Sequence, residues 1–88
     1  MTGIRKSPLR EVREEMGLSQ YDMSLLLGVS SASYYQAENG HYRSISHFEE
    51  RLKEMGLLSV EEDLAGDYEI WRKEKVEHLK KKIQEKIK

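Results

Sequence analysis

The stretch GLSQYDMSLLLGVSSASYYQAENG, residues 17–40, decides the fold. Two short segments lie either side of Gly28 and Val29, and each is preceded by a residue able to cap a helix. Ser19-Gln20-Tyr21-Asp22 is an acidic form of the capping box, in which hydroxyl and carboxylate satisfy each other's backbone amides. It predicts a helix running to Leu27. Ser30 is the matching cap for a second helix that ends at Asn39-Gly40, two residue types that tolerate positive φ. Met23, Leu27, Val29 and Tyr34 are expected to meet Leu9, Leu18 and Ala37 in one small core, with Tyr34 turned inward. The small Ala37 allows two helices to approach closely.

Working outward, Ser7 and Pro8 predict a helix start, because Pro at the first helical position sacrifices no hydrogen bond, and Gly17 marks its end after Met16. Downstream, Ser46 is expected to cap a fourth helix that carries Phe48, Leu52 and Met55 and stops at Gly56. A second capping box, Ser59-Val60-Glu61-Glu62, predicts a short fifth helix closed by Gly66. From Asp67 no breaker follows, and Tyr68, Trp71, Val76, Leu79, Ile83 and Ile87 form one apolar stripe. The expected architecture is all-α, with five short helices over residues 1–66 and a long amphipathic helix over residues 67–88.

Eighty-eight residues suit one small core, and the absence of Cys removes both disulfides and thiolate metal sites as stabilising devices. No apolar run is long enough to span a bilayer, and the segment MTGIRKSPLR lacks the apolar stretch of a signal peptide, so a cytoplasmic location is expected. Charge is distributed unevenly. Residues 49–69 carry a net −6 and residues 72–88 a net +5, which fits either solvated helix faces, mutual pairing, or a nucleic-acid-binding tail.

The elements Ser19-Gln20, Gly28-Val29-Ser30 and Glu38-Asn39-Gly40, at these spacings, resemble the helix-turn-helix of the lambdoid phage repressor, Cro and XRE-like regulator family over roughly residues 7–65. The resemblance implies a five-helix repressor-like domain whose helix after the turn lies in the DNA major groove. By position it implies a reading face of Ser31, Ala32, Ser33, Tyr35 and Gln36. Gln36 is suited to adenine and Ala32 to the thymine methyl. It further implies phosphate contacts from Gln20, Asn39, His41, Tyr42 and Arg43, and an ion pair between Arg13 and Glu38. Arg13 has an alternative role as a phosphate contact. The sequence departs from the family pattern at Ser24, where Ala is preferred, at the expected surface leucines Leu25 and Leu26, and at Arg51, where a core leucine is common.

The segment from Ser31 to Asn39 contains no Lys or Arg, so Arg5, Lys6, Arg10, Arg43 and the lysine-rich tail must supply the attraction to phosphate. A homodimer or higher oligomer would double these contacts. The stripe Trp71, Val76, Leu79, Ile83 and Ile87 is the expected means, with docking inside the chain and an exposed basic tail as alternatives. No Gly-rich phosphate loop, nucleophile motif or metal-ligand spacing is present, since His41, His47 and His78 are scattered; no enzyme, cofactor or metal is expected. The rival to DNA binding is a protein-binding adaptor of antitoxin type that uses the same fold.

Overall fold

The computed structural model describes residues 4–87, the side chain of Ile87 excepted. Five helices follow one another among the described residues: α1 (Pro8–Glu15), α2 (Gln20–Leu27), α3 (Ser31–Glu38), α4 (Ser46–Glu54) and α5 (Leu64–Ile87). The first three start where local chemistry places them. Ser7 accepts from the Arg10 amide with Pro8 behind it, both arms of the Ser19–Asp22 box are made, and Ser30 accepts from the Ser33 amide. Between α2 and α3 the chain turns at Gly28, φ +71°. There the Val29 amide reaches back to the Ser24 carbonyl at 3.0 Å, a closure that requires a left-handed residue.

The second half departs from expectation in three places. Ser46 does not cap α4; Ile45 stands at the cap position without a side-chain bond, and the Ser46 amide donates to Ser44 Oγ. The separate helix between Ser59 and Gly66 does not form. Ser59 Oγ accepts only locally from the Glu61 amide, whereas Asp63 accepts from the Gly66 amide at 3.1 Å and the Glu49 carboxylate on α4 takes the Ala65 amide at 2.7 Å. Two carboxylates at the first turn suit the positive end of the helix dipole, and they move the start of α5 to Leu64. Gly66, the expected terminator and domain boundary, therefore lies inside α5, where a Cβ would strike the Asp63 carboxyl.

One core joins all five helices: Leu9, Met23, Leu27, Tyr34, Ala37, Ile45, Phe48, Leu52, Leu58, Leu64, Tyr68 and Trp71 are buried, with Leu18, Leu26 and Val29 packed on the margin. Trp71 is thus a core residue of its own chain. Its Nε1 donates to the Arg5 carbonyl at 2.9 Å and its ring covers Gly40, where a Cβ would come within 3.1 Å of the indole. Of the two adjacent leucines on α2, only Leu25 is exposed. Beyond His78 the helix leaves the domain, and Val76, Leu79 and Ile83 are about half exposed. A helix of 24 residues is about 36 Å long, which accounts for a molecule 50 Å in its longest dimension.

Truncating a buried aromatic leaves a cavity as well as removing apolar contact, so Trp71→Ala should lower stability by about 3–5 kcal/mol in urea unfolding. A loss below about 1 kcal/mol would show that α5 is not integral to the core.

Candidate nucleic-acid interface

Helix α3 has two chemically distinct sides because 3.6 residues per turn divide its short sequence cleanly. Tyr34, Ala37 and Glu38 are buried. Ala32, Tyr35, Gln36 and Asn39 are exposed on the opposite side, Ser31 is exposed at the start of the helix, and Ser33 stands half-buried beside them. On α2, Ser24 is only 1% exposed, and its hydroxyl is satisfied by donating to the Tyr21 carbonyl at 2.6 Å.

The inner side is fixed by Glu38. Its carboxylate accepts from Arg13 Nε at 2.7 Å and Nη2 at 3.2 Å, from Gln20 Nε2 at 2.9 Å and from the Tyr34 hydroxyl at 2.6 Å. Arg13 completes its own bonding by donating Nη1 to the Leu18 carbonyl at 2.9 Å. Burial would raise the Glu38 pKa, but bonds from Arg13, Tyr34 and Gln20 outweigh it and hold the carboxyl below its ordinary value. Burial, then the bond to Glu38, pushes the Tyr34 phenol up, while the Glu38 carboxylate raises the Arg13 guanidinium. Arg13 and Glu38 thus meet as a bidentate pair, and Gln20 joins them.

The residues expected at phosphates occupy varied positions. Gln20, half-buried at the start of α2, directs one amide proton to Glu38 and retains a second. Asn39 ends the exposed stripe with Nδ2 bonded to the Tyr35 carbonyl at 2.8 Å. His41 and Arg43 are exposed, whereas Tyr42 is half-buried against Phe48, ring centroids 5.9 Å apart. The basic residues before and within α1 are tied to carboxylates of the same chain. Arg5 bonds Asp67 at 2.8 Å and Glu74 at 3.2 Å, the Asp67 bond chiefly raising its pKa. Lys6 and Arg10 share Glu14, which they hold down at about 2. Arg51, exposed, donates to the Leu26 carbonyl at 3.3 Å, which explains how a cation stands near the expected core position.

The end of α3 is held by residues whose roles are not apparent in the sequence. Tyr68 donates its hydroxyl to the Ala37 carbonyl at 2.6 Å, Arg72 donates to Gly40 O at 3.0 Å, and Lys75 to Asn39 O at 3.0 Å. Helix C-termini present unpaired carbonyls and a partial negative charge, so donors and cations from α5 complete them.

Residues 9–46 match the helix-turn-helix family model. The match supports a helix-turn-helix of the XRE (Cro/C1) type over those residues. It supports DNA binding of the kind found in transcriptional regulators. No significant match was found among curated proteins or solved structures. Among the described residues no group of side chains is arranged to hold a metal ion, and no helix is long and apolar enough to cross a membrane.

The helix-turn-helix geometry should depend on the Glu38 carboxylate. Arg13→Ala and Glu38→Ala should each cost about 3 kcal/mol, and the double variant clearly less than their sum, because removing one member leaves the other buried and uncompensated. Strict additivity would count against this role. A carboxyl with a depressed folded pKa stabilises above its unfolded value, about 4.3, and that contribution is lost as pH falls through the folded value. The stability advantage over Glu38→Gln should therefore shrink in denaturation measured below about pH 4.

Proposed function

We propose that the protein is a sequence-specific regulator of transcription, acting as a repressor, that reads double-stranded DNA in the major groove with α3 and works as a cytoplasmic homodimer. The exposed stripe of Ala32, Tyr35, Gln36 and Asn39, on a helix that starts at an exposed Ser31 and is anchored on its other side through Glu38, carries this reading. Such a stripe offers an amide for a bidentate base contact and a methyl for thymine without having to rearrange. Gln20, His41 and Arg43 flank it as backbone contacts. Assembly rests on Val76, Leu79 and Ile83, about half exposed on the second half of α5; Trp71 is removed from that set by its burial, and the Ile87 side chain lies outside the described residues. Two linked domains would read half-sites about one helical turn apart.

Selection from random duplexes should yield a short site of two-fold symmetry. Gln36→Ala should lower discrimination by about 1–3 kcal/mol while leaving binding to random DNA unchanged, and Gln20→Ala should weaken all sequences alike. Equal losses for Gln36→Ala on both kinds of DNA would reject base reading.

Replacing Leu79 and Ile83 together with Glu should give a folded monomer whose affinity for its site falls by orders of magnitude. Unchanged sedimentation and binding would exclude α5 as the assembly element. A second reading, an adaptor that grips another protein, draws on Tyr21 and Leu25. These lie one turn apart on α2 and are 60% and 61% exposed.

A further inference from the structure

Resting on the DNA-binding reading, we propose that α5 is itself part of the DNA-contacting surface, its Lys75, His78 and Lys82 forming with Lys6 and Arg10 a track for the duplex phosphate backbone. The face of α5 that faces the core begins with Leu64, Tyr68 and Trp71, all buried. Steps of four, three and four residues continue that face to Lys75, His78 and Lys82, where the helix leaves the domain. Packing residues give way to basic ones without a change of side. The exposed apolar positions Val76, Leu79 and Ile83 occupy a neighbouring stripe, so phosphate contact and self-assembly do not compete for the same face.

The placement relative to α3 connects this face to the reading stripe. A cleft of about 340 Å³ lies between the segment before α1, the end of α3 and α5, and its walls include Lys6, Arg10, Asn39, Trp71, Lys75 and His78. Asn39 is both the last exposed residue of the stripe and a wall of the cleft. Lys75 is held there by its bond to the Asn39 carbonyl and by the Trp71 ring, 4.8 Å from its ammonium, leaving further protons for an anion. Glu14 answers one of the two cations Lys6 and Arg10, Glu38 in the wall is answered by Arg13, and Arg5 is tied to Asp67 and Glu74, so Lys75 tips the cleft to a positive excess. Phosphate oxygens, acceptors only, fit such a wall, and a duplex against α3 presents them in a row. These cations make up for the shortage of charge on α3, whose segment from Ser31 to Asn39 has neither Lys nor Arg.

The test is the salt dependence of duplex binding by the full chain. Lys82→Gln, at an exposed position, should reduce the slope of log affinity against log salt by about one, and Lys75→Gln/Lys82→Gln by about two, on selected and random duplexes alike. An unchanged slope in both variants would overturn the assignment to α5. Gln36→Ala tests the α3 reading separately, since it should lose selectivity with its slope retained. Millimolar inorganic phosphate that moves the His78 imidazole signals as far as the duplex does would make the cleft a small-anion site and overturn the duplex assignment.

Discussion

A carboxylate taken out of water is tolerated only when its oxygens are filled, and Glu38, 5% exposed, receives donors from α1, α2 and its own helix. Because those donors come from three elements, the arrangement sets the position of α1 and α2 against α3 rather than the strength of any one pair. The same C-terminal end of α3 is also held through its backbone, with Tyr68, Arg72 and Lys75 donating to the Ala37, Gly40 and Asn39 carbonyls. Helix α3 has eight residues, too few to be stable alone, and these two anchorages with the buried Tyr34 and Ala37 define its position.

The consequence is a separation of tasks by helix face. Everything that holds α3 approaches it from the inner side or from its end, which leaves the Ala32–Gln36 face unengaged by its own domain. Electrostatics are divided similarly. The acidic residues Asp67 and Glu74 tie down Arg5, while the basic half of α5 projects past the domain. Net charge near zero therefore conceals a locally positive side, and local field matters more than the sum for attracting a polyanion.

The parts of the fold legible in the sequence are those governed by neighbours along the chain. Caps at Ser7, Ser19 and Ser30, and the turn at Gly28, are local bargains between a side chain and amides two or three residues away. Ser46 and Ser59 offered the same signal and do not cap: the Ser46 amide goes to Ser44 Oγ with Ile45 at the cap position, and Glu49, distant in sequence, takes the Ala65 amide at the start of α5. The apolar stripe of α5 was visible, but its division was not. Periodicity alone cannot say that Trp71 is covered by Arg5 and Gly40 whereas Val76, about one and a half turns later, is half exposed. Arg13 and Glu38 were found through the resemblance, and Gln20 as a third member emerged only from the geometry. Arg72 and Lys75 carried a weaker clue, since cations stabilise helix C-termini, yet nothing in the sequence said which helix end they would meet.

Function in this fold rests on which surface of the folded chain meets DNA. Nuclear magnetic resonance mapping of the chain during titration with its selected duplex measures this residue by residue. Signals of Ala32, Tyr35, Gln36 and Asn39 should shift while the Arg13 Nε proton, held in its bond to Glu38, stays in place. Shifts centred on Tyr21 and Leu25, with the exposed face of α3 unmoved, would contradict it.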